Sequence, residues 1–362
     1  MTDTLSADLT VRPDPLVAPA AGAFERLPKW LNLFPMVAQW LWLGLRHGSM
    51  TLPSSVNPQI TTGGMVGDGK LEYFRSMGVL ARAATADFIA VATDCDPGRY
   101  RAQMQAAGLG FPIVAKPDLG WCGYGVRLLE SWLEFEAYFR AYPANETFLL
   151  QRFISDEGEA GIFYVRDPAH DKGRLIGLLL REFPKVTGDG VRSVKELIAA
   201  DIRLRRLTDN ALHECQFDSD HVPARNETVR LALIGSTRVG GAYFDGTQFI
   251  TPQLSQCVDE IAKDMGTFHV GRFDVRFKTL ASLGTGDFTI MEVNGAGSEA
   301  VHAWDPKYSI RDVYRIVFAK QRLLFAIGAA CRKAGHRPCS AATLIRNFFR
   351  QQKLMRCYPR SN

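Results

Sequence analysis

Two stretches about 160 residues apart constrain this chain more than any other feature: FPIVAKPDLGWCGYGV (111–126) and GRFDVRF followed by FTIMEVNG (271–295). The first reads as a strand, a lysine and a glycine-rich loop. The second reads as two strands with polar residues at alternate positions. Strand side chains alternate faces with period two, so Glu292 and Asn294 point to one side of their sheet. Arg272, Asp274 and Arg276 do the same on theirs. A chain that spends alternate positions of interior strands on these residues is building a polar face, and the residue types suit a hard cation with an arginine beside it.

Mg²⁺ takes oxygen ligands in octahedral geometry, commonly one or two carboxylates, an amide oxygen, waters and nucleotide phosphates. Asp274, Glu292 and Asn294 offer such a set. Gly120, Gly123 and Gly125 have no Cβ, so their loop can bring backbone N–H groups up to phosphate oxygens. Lys116 adds a point charge for the same phosphates. Each element alone also fits a bland role, as ordinary polar strand residues or a common glycine turn. Their order along the chain favours the joint reading.

On these residues the chain resembles the ATP-grasp superfamily of carboxylate-amine ligases, represented by D-alanine:D-alanine ligase, glutathione synthetase and cyanophycin synthetase. The resemblance covers roughly 63–306. It implies an α+β fold in which two subdomains enclose ATP, preceded by a short N-terminal segment and followed by a helical tail. Lys116 and the glycine loop would meet the phosphates, with Lys70 at the spacing of a second phosphate lysine. Asp274, Glu292 and Asn294 would hold two Mg²⁺ ions, Mn²⁺ being the alternative, and Arg272 would steady the transferring phosphoryl group. Gln151, Arg152, Phe153 and Ile154 fall where the family has its adenine-binding hinge. Glu159 is the candidate ribose ligand, with Glu157 in competition. Arg181 and Lys185 would face phosphates or substrate. The resemblance implies amide formation between a small-molecule carboxylate and an amine through an acyl phosphate. A phosphotransferase using the same nucleotide site, and an ATP-binding protein docked through its tail, are the alternatives. There are two departures: Gln151 replaces the usual glutamate at the hinge, and STRVGG (236–241) replaces NxSxGG, which bears on the substrate. His302 and Asp305, just after the metal strand, could line the acceptor site or serve packing and capping.

The expected organisation is a disordered leader over 1–23, a pre-domain segment over 24–75, subdomains over 76–150 and 151–306, and a basic helical tail over 307–362. In the larger subdomain AGIFYVR, RLIGLLLREF, TVRLALIG, GRFDVRF and FTIMEVN read as strands. GMVGDGKL (64–71) matches the start of a P-loop, but Leu71 stands where Ser or Thr would hold the metal. Seven scattered cysteines without a CxxC pair argue against a disulfide framework or zinc site and for a reducing, cytoplasmic compartment. Cys122 is the one placed for reactivity.

LNLFPMVAQWLWLGL (31–45) is too short for a membrane span of about 20 residues, and Pro35 should interrupt it. With apolar residues all round, a buried or docked helix is expected, a membrane-interface role being the alternative. From 311 to 362 there are twelve Lys and Arg against one acid, Asp312. Leu344, Ile345, Phe348, Phe349 and Met355 recur at helical spacing, with Arg346, Arg350 and Lys353 on the opposite stripe. The expectation is a helix packed through its apolar side with a solvated basic face, and contact of 340–360 with an anionic membrane or another polyanion is the alternative. No nucleic-acid motif is present.

Overall fold

The computed structural model of the chain describes residues 29–201, 204, 217–232, 235 and 240–361. The expected leader and most of STRVGG lie outside them. Helix α1 (Lys29–His47) runs straight through Pro35 rather than breaking there. Pro35 removes one helical hydrogen bond, and contacts with a later helix hold α1 on both sides of it. Short helices α2 (Lys70–Arg75) and α3 (Val79–Ala83) follow.

The described residues then form a four-stranded sheet from β1 (Phe88–Ala92), β2 (Ile113–Pro117), β3 (Arg127–Leu129) and β4 (Thr147–Arg152), in the order β1-β4-β2-β3. Helices α4 (Tyr100–Ala106) and α5 (Trp132–Ala141) cover one face. Ser131 caps α5 by accepting from the Glu134 N–H, and Phe135, Tyr138 and Phe139, three and four apart, turn inward. They pack with Ile113, Ala115, Phe148 and Leu150, which all point to that face. The other face carries Val114, Lys116, Leu128 and Gln151, paired in register across β3, β2 and β4.

The second sheet has five antiparallel strands, β5 (Gly158–Val165), β6 (Arg174–Glu182), β9 (Ala242–Asp245), β10 (Val270–Phe277) and β11 (Thr289–Asn294), ordered β11-β10-β5-β6-β9. Strands β7 (Lys185–Thr187) and β8 (Thr228–Arg230), with helix α6 (Val194–Ala200), make a separate hairpin-like pair. Among the described residues of TVRLALIG, Thr228–Arg230 are strand, and they pair outside the main sheet. The fifth strand is β9, which the sequence pattern had not marked. Helix α7 (Pro252–Asp264) lays Leu254, Val258 and Ile261 on the sheet face made by Ile162, Tyr164, Phe273 and Val275, beside α8 (Leu280–Thr285).

Two helices close the chain, α9 (Ile310–Lys333) and α10 (Ala341–Met355). The expected apolar docking of α10 is corrected. Ile345, Phe348 and Phe349 are exposed, whereas Gln351 is buried and the Asn347 side chain lies against Gly67. The helix docks through amides because its partner is the polar backbone of residues 66–68, not a hydrophobic surface. No helix among the described residues is long and apolar enough to cross a membrane.

Phe148 is fully buried among the rings of Phe135, Tyr138 and Tyr142. Phe148→Ala should therefore cost about 3–5 kcal/mol, whereas Leu133→Ala at an exposed site of α5 should stay within about 0.5 kcal/mol. Denaturant midpoints of the two variants check this, and equal shifts would contradict the packing described.

Candidate functional site

The polar faces of the two sheets look at each other across a cleft of about 470 Å³. On the β10 side the register places Asp274 opposite Glu292 of β11, and Arg272 opposite Asn294. Toward β5, Arg276 pairs with Glu159, which in turn faces Arg181 of β6. Asp274 faces Gly161 there, and a Cβ on Gly161 would lie 3.0 Å from the Arg272 side chain and 3.1 Å from the Asp274 carboxylate. Glycine is thus what lets the charged pair lie flat on the sheet.

Arg272 donates two hydrogen bonds to Asp274, from Nε at 2.6 Å and from a terminal nitrogen at 2.8 Å. Arg181 reaches the same carboxylate at 3.4 Å, and Asn294 Nδ2 donates to it at 3.1 Å, turning the Asn294 amide oxygen away from Asp274. Burial would raise the Asp274 pKa, but Arg181 and Arg272 outweigh it and hold the carboxyl below the ordinary range. Arg181 also binds Glu159 at 2.6 Å, and Arg276 holds the other Glu159 oxygen at 3.2 Å. Glu157 is exposed and stands outside the cleft.

Across the cleft, Lys116 donates to Gln151 Oε1 at 2.6 Å. Desolvation, with repulsion from Lys70, overcomes the attraction of Glu292 and brings the Lys116 pKa down to about 8. Lys70 opens α2, whose first N–H groups are taken up by Asp118 just after β2. Its ammonium lies 3.1 Å from Glu292, so both lysines and the Glu292 carboxylate share one corner. Residues 61–64 form a 3-10 turn in place of the strand a P-loop requires. Their path crosses the end of β11: Ala296 N–H donates to Gly63 O, and Gly297 N–H to Gly64 O.

Gly120, Trp121, Cys122, Gly123 and Tyr124 form one wall of the cleft, and Gln151, Arg152, Phe153 and Ile154 another. Gly125 lies behind the loop against Pro117 and Tyr358. Lys185 is not brought to the cleft; it is half-exposed and paired with Glu182 at 2.5 Å. His302 is buried against Gly177 and Phe163, and burial lowers its pKa to about 4. Asp305 accepts from the Asp245 and Lys307 N–H groups, so both residues serve packing and turn formation.

Sequence reasoning missed several residues. Asp68 lines the cleft, accepts from the Tyr73 hydroxyl at 2.6 Å, and has its pKa raised by burial. The only signal for it was the GDGK segment, read as a false P-loop. Arg276 was placed on the right face without a role. Lys320 of α9 stands near Arg272 and Glu299, its pKa brought to about 7 by burial and then by Arg272.

The C-terminal segment was missed as part of the site altogether. Phe348, Gln351 and Gln352 line the cleft. Tyr358 stacks on Tyr142 and donates to Leu119 O at 2.6 Å. Ser361 bridges Gly123 O and the Gly125 N–H.

Among the described residues no group of three His, Cys, Asp or Glu side chains stands at metal-binding spacing. A cation here would rest on two carboxylates and an amide, which suits a hard ion completed by phosphate and water.

Two outcomes follow. The Lys116 Cε resonance should titrate near pH 8, protonated below and neutral above; Gln151→Glu should raise that midpoint, since a carboxylate favours the ammonium. A wild-type midpoint near the ordinary lysine value would refute the desolvated setting. Tyr358→Ala with Ser361→Ala should speed chymotryptic cleavage at Trp121 and Tyr124 several-fold, because the loop loses its outer hydrogen bonds. Unchanged cleavage would show that the tail does not hold the loop.

No family model matches the chain. It is similar to the glutathione biosynthesis bifunctional protein GshAB of Streptococcus agalactiae, 23% identical over 180 residues, covering 44% of this chain and 23% of that protein. Among solved structures it is similar to a bifunctional glutathione synthetase from Pasteurella multocida (18% identity, TM-score 0.37, 73% of this chain and 38% of that one). It is also similar to the D-alanine–D-alanine ligase of Bacillus anthracis (12% identity, TM-score 0.40, 73% and 70%). The chain spans less than a quarter of the curated relatives it matches. These relatives are of the class that the lysine, glycine-loop and Asp-Glu-Asn motifs resemble.

Proposed function

We propose that the chain is an ATP-dependent carboxylate-amine ligase. The observation that carries this reading is the meeting, in one cleft, of Lys70, Lys116 and the glycine loop with Arg272, Asp274, Glu292 and Asn294. Asp274 and Glu292 sit opposite each other in register and Asn294 is on the same face, a donor set that fits one or two Mg²⁺ ions, or Mn²⁺. The metal supplies charge neutralisation on the phosphate oxygens. Lys70 and Lys116 hold phosphates, the hinge residues Gln151 to Ile154 hold the base, and Glu159 lies on the ribose side. Lys185 has no part in this reading.

In the first step the substrate carboxylate oxygen attacks the γ-phosphorus and ADP leaves. In the second the amine nitrogen attacks the acyl carbon, phosphate leaves, and the amine gives up a proton. Arg272 is the guanidinium placed beside the metal carboxylates, where charge is shared between transferring and leaving groups. Asp68 and Glu299 are the cleft carboxylates with no ion pair among the described residues, and either suits an incoming ammonium. The cleft continues past Arg272 to Ser298, Glu299, Val301 and Trp304, which leaves room for a second substrate.

Hydroxylamine supplied with ATP and a panel of carboxylic acids tests the reading, because it traps an acyl phosphate as a hydroxamate. Arg272→Ala should lower trapping on the order of a hundredfold or more while ATP binding changes little, and Glu292→Ala should abolish ADP release. A stable phosphomonoester without hydroxamate would establish a kinase instead.

A further inference from the structure

Helix α1 packs on α9 with an unexpected choice of face. Gln39 donates to Phe318 O and to Gln321, Gln321 donates to Met36 O, and Tyr314 donates to Asn32 O. Trp40 and Leu43 add the apolar part of that contact, against Phe325. The inward side thus contains Gln39, which apart from the tryptophans is the one polar side chain from Leu33 to Leu45, and its neighbour Asn32. The outward side contains Leu33, Phe34, Val37, Leu41, Trp42 and Leu45, each between 49% and 74% exposed. Spacings of four (33, 37, 41, 45) join most of them into one ridge. No charged residue interrupts it; Arg46 lies just beyond, with its guanidinium 5.3 Å from the centre of the Trp42 ring.

A contiguous apolar surface of this kind marks an interaction site, and its surroundings say with what. Exposed Arg311, Arg315, Arg322 and Lys333 recur on α9 at spacings of four, seven and eleven, which puts them on one stripe. Asp312, bound to Arg315 at 2.7 Å, is the one acid from 311 to 362. A second copy docked on this face would bring two such cationic helices together. An anionic bilayer would instead take the apolar ridge into its acyl boundary and the arginines onto its headgroups, with Trp42 at the interface.

We infer that α1 and the arginine stripe of α9 form a docking surface for an anionic lipid bilayer, on which the protein lies without spanning it. The cleft would then work beside the membrane. The surface is independent of the ligase reading, since none of its residues lines the cleft.

The test is co-sedimentation of the full chain with phosphatidylcholine vesicles, with and without phosphatidylglycerol. Binding should require phosphatidylglycerol and weaken as salt rises. Phe34→Asp, Leu41→Asp and Leu45→Asp together should remove it while circular dichroism stays unchanged, the three sites being exposed. Arg311→Glu, Arg315→Glu and Arg322→Glu together should weaken it on the order of a hundredfold or more. Failure to bind anionic vesicles at low salt, equal binding to neutral vesicles, or full binding by either triple variant would overturn the inference. So would a lipid-free dimer lost in the aspartate variant, which would make a second copy the occupant.

Discussion

Asp274 is the fixed point of this molecule. A carboxylate buried in an interior strand of a sheet costs several kcal/mol unless its charge is met. Here Arg272 meets it on its own strand and Arg181 from two strands away. That requirement propagates outward. Arg181 is shared with Glu159, Glu159 with Arg276, and Gly161 must lack a side chain for the pair to fit. The polar face is therefore one connected network, in which a cation entering between Asp274 and Glu292 competes with guanidinium groups for the same oxygens. A cation bound there would displace a guanidinium from Asp274, which would tie the charge available to a phosphate to the cation beside it.

The opposite wall follows a different rule. Lys116 faces an amide, not a carboxylate, and so is held in place without being neutralised. Of its neighbours, Glu292 favours the ammonium and Lys70 opposes it. A polyanion arriving there meets a lysine whose charge it can itself restore, and proton uptake should accompany its binding above pH 8.

Much of this was legible in the chain because strand periodicity is rigid. A residue two positions along a strand must share a face, so Glu292 with Asn294, and Arg272 with Asp274 and Arg276, were placed before any contact was seen. Helices were less informative. Periodicity finds a helix's stripes but does not say which stripe is inside: in α10, and in α1 apart from Trp40 and Leu43, the amide side went in and the apolar side out. The reason is the partner: backbone carbonyls of neighbouring segments reward Gln39 and Gln321, and the Gly67 N–H rewards Gln351. Nor could local pattern reveal Asp68 or the tail residues Tyr358 and Ser361, because their partners lie remote in sequence or, for Asp68, in a segment resembling another motif.

The crossing of residues 63–64 over the end of β11 has its own consequence. A Cβ on Gly64 would come within 2.5 Å of the Gly295 Cα, and one on Gly295 within 2.6 Å of the Gly64 Cα. Neither backbone can withdraw without disturbing the hydrogen bonds that join them, next to Asn294 on one side and on the path to Lys70 on the other. Two segments more than 200 residues apart therefore fix each other as glycine: a side chain at either position meets the other's backbone, and no substitution at the partner can make room, because the partner already has no side chain.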